Sequence, residues 1–205
     1  VERFSLTTVD GLAAPPRYNL APGSDTLVQT SEGVRPMRWG MLAPRHGHNG
    51  KRGPPIERVS LEVFAAIPAA RVAFEQRRCL VLADGFFAWR GAPNRQRAQP
   101  TWIHPEPVRR IAFAGVWSVH RDDGRDSFAV VTVPSAAPAD AITPTMPLVV
   151  DERWLGRLAD ARALVASQPL VGWRADAISD WVDDPSHDDA RVTELLRNRA
   201  QGELF

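Results

Sequence analysis

Few side chains in these 205 residues stand at spacings that support catalysis. His46 and His48 lie two apart in the loop 43–55, but that loop holds no Cys, Asp or Glu to complete a zinc site, and no metal is expected. The run Asp183-Asp184-Pro185-Ser186-His187-Asp188-Asp189 offers oxygen ligands to a hard cation. Its spacing matches no calcium loop, so the expectation is a solvated turn with a helix cap at Asp188 or Asp189. Ser118 and His120 flank Val119, yet no Gly-x-Ser-x-Gly turn accompanies them, and groups so close on one strand do not make a triad. Cys79 falls in the run Arg78-Cys79-Leu80-Val81-Leu82, where apolar neighbours suppress thiol reactivity, so structural burial is expected. Glycine-rich phosphate loops are absent, and no nucleotide cofactor is expected.

Charge is more informative than these motifs. Residues 35–58 carry Arg35, Arg38, Arg45, Lys51, Arg52 and Arg58 against one acid, Glu57, and could face phosphate. Residues 176–189 carry six aspartates with no Lys or Arg and would repel a phosphate backbone. Lys51 is the only lysine among 25 basic residues, and arginine is the better bidentate partner for phosphate.

The elements that position these groups follow from periodicity. With 44% hydrophobic and 24% charged residues, the chain can bury one sizeable core, and a single domain over 1–205 is expected. No run nears the roughly 18 apolar residues of a membrane span and no apolar targeting segment opens the chain, so a cytoplasmic protein without membrane partners is expected. One cysteine forms no internal disulfide. Strand-like runs fall at 26–30, 35–42, 78–89, 100–104, 110–120, 127–133 and 146–150. Phe128, Val130, Val131 and Val133 suit a strand buried on both faces. Helices are expected at 60–75, interrupted by Pro68, at 151–167 and at 188–200. Many strands, few helices and no regular alternation predict an α+β fold with a mostly antiparallel, barrel-like sheet.

Four segments carry a family likeness: Arg3-Phe4, Arg17-Tyr18-Asn19-Leu20-Ala21-Pro22-Gly23, Arg38-Trp39-Gly40-Met41-Leu42-Ala43-Pro44, and Arg78-Cys79-Leu80 running into Asp84-Gly85-Phe86-Phe87-Ala88-Trp89. In this order they resemble the SOS response-associated peptidase (SRAP) family, whose members recognise abasic sites in single-stranded DNA. Further matches follow at Ala114-Gly115-Val116-Trp117, Val131-Thr132, Met146-Pro147-Leu148 and Ile178-Ser179 to Asp188-Asp189-Ala190-Arg191.

The departures decide what chemistry the resemblance implies. Family members begin with Cys-Gly-Arg-Phe, whose cysteine closes a thiazolidine ring on the aldehyde of an opened abasic sugar; here Val1-Glu2-Arg3-Phe4 stands there. The Asn-Ala-Arg motif falls on Ile56-Glu57-Arg58, the Glu-Trp pair becomes Ala88-Trp89, and His-x-Arg-Met-Pro becomes Thr143-Pro144-Thr145-Met146-Pro147. Thiol, carboxamide, carboxylate, imidazole and one arginine are thus replaced, with Glu2 and Glu62 as candidate displaced acids. A wedge that follows the Trp-Gly segment falls on Arg45-His46. A ring adduct needs amine and thiol on one residue, so it is not expected. With Val1 as the mature N-terminus, its α-amine, of ordinary pKa about 7.7–8.0, is partly neutral at pH 7 and could form a reversible imine.

For binding, the resemblance implies phosphate contacts from Arg3, Arg17, Arg45 and Arg58 and further contacts from Asn19, Pro22 and Thr132, while Trp39 and Trp89 either supply aromatic surface or, as large aromatics usually do, belong to the core. Two classes of function remain open: a weakened SRAP protein acting on single-stranded or abasic DNA, and a non-catalytic DNA-binding or interaction module of phage or prophage type. Proteolysis ranks lower, because with Val1 in the cysteine's place an ordinary aminopeptidase would suffice to release an initiator methionine.

Overall fold

The computed structural model describes residues 16–42, 45–46, 51–66, 68–91, 98–119, 124–165 and 170–196. The chain begins with β1 (Asp25–Thr30) and β2 (Gly33–Trp39), then two short strands, β3 (Arg45–His46) and β4 (Lys51–Arg52), and β5 (Arg58–Ser60). Helices α1 (Leu61–Ala66) and α2 (Pro68–Gln76) lead into β6 (Arg78–Ala83), β7 (Phe86–Arg90), β8 (Gln99–Pro105), β9 (Ile111–Val119) and β10 (Asp126–Pro134). The rest comprises β11 (Thr145–Pro147), β12 (Val149–Val150), α3 (Leu158–Val165) and β13 (Trp173–Ala177).

Five of these strands close into a barrel in the order β2-β1-β6-β9-β10, every neighbour antiparallel except β10 beside β2, which is parallel through Ser127↔Arg38 and Phe128↔Trp39. Closure removes exposed edges. Alternation along each strand then separates two apolar clusters. Val28, Met37, Cys79, Val81, Phe113, Trp117, Phe128 and Val130 fill the interior. Leu80, Ala114, Val116, Ala129, Val131 and Val133 face outward, where Ala73, Phe74 and the fully buried Trp154 cover them. Strand β10 is therefore buried on both faces, as its unbroken apolar run predicts. The mixed sheet with a few helices agrees with the expected α+β, barrel-like class.

Tertiary contacts redraw three elements. The run 78–89 divides at Asp84-Gly85, where β6 leaves the barrel and β7 joins a second sheet, β13-β8-β7. Gly85 is required there, because a Cβ would lie 2.5 Å from Trp102 Nε1 and 2.7 Å from the Ile103 carbonyl. The helix expected over 151–167 becomes a 3-10 turn, Glu152–Leu155, followed by α3. Arg78 takes the carbonyls of Trp154 and Gly156, each at 2.6 Å, which a continuous helix would use for its own ladder. In place of the helix expected over 188–200, the described residues up to 196 form a 3-10 turn, Ala190–Thr193, because the chain then pairs sideways: Leu195 bridges Ile178, and Leu196 N–H donates to Ala177. Asp189 does cap this turn, accepting from Arg191 N–H. The break expected at Pro68 separates α1 from α2.

Candidate DNA-binding cleft

A cleft of about 670 Å³ opens at one mouth of the barrel. Its floor is the apolar interior itself, through Val81, Phe113 and Val130. At the other end of the β6–β9 pairing, Trp117 fills the barrel, with the guanidiniums of Arg35 and Arg77 5.3 and 5.9 Å from its ring. The rim is built from the segment before β1, from β7, and from the turn after β13.

Sheet register explains which predicted residues reach the cleft. Strand β5 runs parallel to β10 with Arg58↔Val130 and Thr132↔Ser60, so Arg58 shares the face that Val130 and Thr132 present to the cleft. Arg58 is exposed and Thr132 is buried. Strand β11 pairs Thr132 with Pro147 and Pro134 with Thr145, bringing Thr143 and Thr145 to the same wall, where Thr143 Oγ1 donates to the Thr145 carbonyl at 3.1 Å. Ala88, also on the lining, is buried. Thus Ala88, Thr143 and Thr145, three positions at which the family resemblance implies a substitution, meet around one cavity. Ile56 does not join them: it bridges Met41 and packs on the outer core.

The two tryptophans differ. Trp39 is half-buried, stacks on Phe128 with centroids 6.2 Å apart, and donates Nε1–H to the Glu57 carbonyl at 2.8 Å. It is mainly a packing residue with one side toward the cleft. Trp89 is 44% exposed, and its Nε1–H donates to Asp183 Oδ1 at 2.7 Å, which fixes the indole by its edge on the rim. Such a ring is a stacking surface.

Arg17 also lines the cleft, and the acidic segment meets it there: Nε donates to Asp188, whose carboxylate also accepts the backbone N–H of Tyr18 and Asn19. Hydrogen bonds from Asn19, Tyr18 and Arg17 hold the Asp188 carboxyl below the usual carboxylate range, outweighing a desolvation that acts the other way and is the largest single contribution. Asn19 is buried and its side-chain N–H groups donate to the Val182 and Asp184 carbonyls, so its amide ties two chain segments together. Pro22 is exposed on the rim.

The described lining carries Arg17, Arg58 and Arg110 alongside Asp25, Glu57, Asp84 and Asp183, so the cleft is mixed in charge rather than the basic groove that residues 35–58 predict. Arg110, Asp84 and Asp183 are lining residues that sequence reasoning did not select. No local pattern marks them, since their convergence depends on the β6–β7 turn, the start of β9 and the turn after β13 meeting. Glu62 is not part of the lining. It sits exposed in the first turn of α1, where the Ser60 side chain and its own backbone N–H lower its carboxyl pKa. Cys79 is fully buried inside the barrel, and desolvation pushes its thiol pKa up, which makes the thiolate inaccessible. Among the described residues no three His, Cys, Asp or Glu side chains cluster as metal ligands, and no helix is long and apolar enough to cross a membrane. Val1, Glu2, Arg3, His48 and His120 lie outside the described residues, as does the side chain of Arg45; the backbone of Arg45 pairs with Arg52 in the β3–β4 hairpin.

Comparison with known proteins agrees with this architecture. The abasic site processing protein YoaM of Bacillus subtilis (strain 168) is 25% identical over 151 residues, 68% of this chain and 66% of its own length. YobE, an abasic site processing protein of the same organism, is 24% identical over 144 residues, 67% of this chain and 65% of its own length. The chain thus spans slightly less than two thirds of these relatives. A crystal structure from Bacteroides thetaiotaomicron superimposes with a TM-score of 0.70 at 19% identity, over 85% of this chain and 82% of that one. A phage-related protein of Bordetella bronchiseptica gives 0.63 at 23% identity, over 82% and 84%. The sequence model of the SOS response associated peptidase (SRAP) family matches residues 2–172, and the chain belongs to that family.

Proposed function

We propose that this chain acts in DNA-damage processing by binding single-stranded or abasic-site DNA in the barrel-mouth cleft, without cysteine-dependent crosslinking. The observation that carries this reading is the meeting of an exposed indole, Trp89, with the guanidiniums of Arg58 and Arg17 around one cavity. Stacking and phosphate contacts are the two components of single-strand binding. The names of the relatives, abasic site processing proteins, point to the same class of partner. A single domain over 1–205 in a cytoplasmic setting belongs to this reading, as do Arg3, Arg45, Asn19, Pro22, Trp39 and Thr132 as supporting contacts.

Chemistry in this reading is limited to the Val1 amine. Its nitrogen would attack the aldehyde carbon of an opened abasic sugar, and loss of water would leave an imine that hydrolyses back. Borohydride reduces such an imine to a stable amine, so trapping on an abasic oligonucleotide tests the step. An adduct that persists undiminished after N-terminal acetylation refutes it. The non-catalytic alternative, a DNA-binding or interaction module of phage or prophage type, is favoured by Ala88, Thr143 and Thr145, three lining residues that themselves carry neither a carboxylate nor an imidazole. Salt-dependent binding of single-stranded DNA without a trapped product distinguishes it.

A further inference from the structure

Arg17 and Trp89 reach the cleft from distant parts of the chain, yet one short segment holds both. Asp188 accepts from Arg17 Nε and from the backbone N–H groups of Tyr18 and Asn19, the last at 2.8 Å. Asp183 accepts from Trp89 Nε1. Asn19 closes the clasp in the other direction, donating to the Val182 and Asp184 carbonyls at 3.0 and 3.1 Å. Beneath these bonds Ile178, Val182 and Val192 form an apolar cluster with Tyr18, Phe87 and Trp102, so the segment is anchored by its own small core.

We propose that Asp188 sets the affinity of the cleft for single-stranded DNA by occupying Arg17 as a phosphate would. A guanidinium meets carboxylate and phosphate oxygens with the same donors and geometry. In this structure Arg17 directs Nε to Asp188, and its NH1 lies 3.5 Å from the Asp25 carbonyl. An incoming phosphate has to share or displace the carboxylate, and it meets the like charge of Asp188 and Asp183 as it does so. DNA therefore draws fully on Arg58 and only partly on Arg17. The proposal rests on the cleft being a DNA site.

The test is Asp188→Asn, which keeps an amide oxygen to accept from the Tyr18 and Asn19 N–H groups while removing the charge beside Arg17. Binding of a labelled oligothymidylate is titrated over a range of salt. The expected result is a roughly fivefold gain in affinity at low salt and a slope of log K against log salt steeper by roughly 0.7, the value of one more neutralised phosphate on a single strand. In an Arg17→Ala background the same change leaves the slope where Arg17→Ala alone puts it. Weaker binding, or an unchanged slope with the melting temperature preserved, overturns the proposal. If Asp188→Asn does not fold, Arg17→Ala and Arg58→Ala decide: a loss of slope for Arg17→Ala as large as for Arg58→Ala overturns it, and a clearly smaller loss supports it. An absence of binding by the wild-type chain and by every variant at low salt removes the DNA reading itself, and the proposal with it. Binding that is present but indifferent to Asp188 removes only the proposal.

Discussion

Cys79 and Gly115 face each other across β6 and β9, so closely that a Cβ on Gly115 would lie 2.6 Å from Cys79 Sγ. The Cys79 sulfur, with Val81 Cγ2 3.3 Å from the same point, fills the space that a side chain at residue 115 would need. Gly115→Ala is expected to lower stability by about 1–3 kcal/mol through overpacking, measured by denaturant unfolding. In a Cys79→Ala background, where the sulfur is gone, the added methyl should cost less than half as much. Equal costs in the two backgrounds would show that the sulfur is not the obstacle.

The same burial predicts an inert thiol. Native protein should not react with a disulfide reagent on the timescale on which the denatured chain reacts completely, because desolvation raises the thiol pKa and the sulfur has no exposed surface. Rapid labelling of native protein, with the fold intact by circular dichroism, contradicts the buried position.

Arg78 joins three pieces of the outer core. It donates to the Phe74 and Glu75 carbonyls at the end of α2, at 2.7 and 2.8 Å, and to the carbonyls of Trp154, within the 3-10 turn, and Gly156, just past it. Arg78→Ala leaves these acceptors without their charged donor and should destabilise by about 2–4 kcal/mol, with Arg78→Lys recovering only part, since an ammonium cannot reach four carbonyls in that planar arrangement. A loss below about 0.5 kcal/mol in thermal or denaturant unfolding would mean that solvent replaces the guanidinium freely.

Trp89 separates binding from folding. Its exposure predicts that Trp89→Ala changes stability little while weakening single-stranded DNA binding by about 1–3 kcal/mol, the range for one stacked base. Trp39→Ala should instead destabilise the fold, because it removes the stack on Phe128 and the bond to the Glu57 carbonyl. Fluorescence titration beside a melting curve reads both.

The turn after β13 has a definite acid limit. Hydrogen bonds from the Arg191 side chain and backbone depress the Asp189 carboxyl from an ordinary 3.8 to about 2. A depressed folded-state pKa contributes stability above the unfolded value, lost as pH falls through the folded value, so the window runs from about pH 4 down to about 2. Trp181 reports it, with His187 stacked at 3.5 Å on its ring and the Arg191 guanidinium 4.2 Å from the ring centroid. Its fluorescence should show a change between pH 4 and about 2 that Asp189→Asn removes. A transition centred above pH 5 would assign the turn's acid sensitivity to another group.

Much of this protein was legible in one dimension. The alternating and unbroken apolar runs located the barrel strands, Pro68 located the break between α1 and α2, and the apolar neighbours of Cys79 foretold its burial, because each depends on residues within a few positions of one another. Only the tertiary structure decided where 151–167 stops being helical, because the guanidinium that takes those carbonyls comes from residue 78. It alone decided the charge of the cleft. The family likeness implied a phosphate contact for Arg17, and Asp188 read as part of a solvated turn, yet they are 171 residues apart in sequence and bonded in space. Pairing across such a distance is set by how the rim segments pack on the barrel mouth, and no local periodicity encodes it.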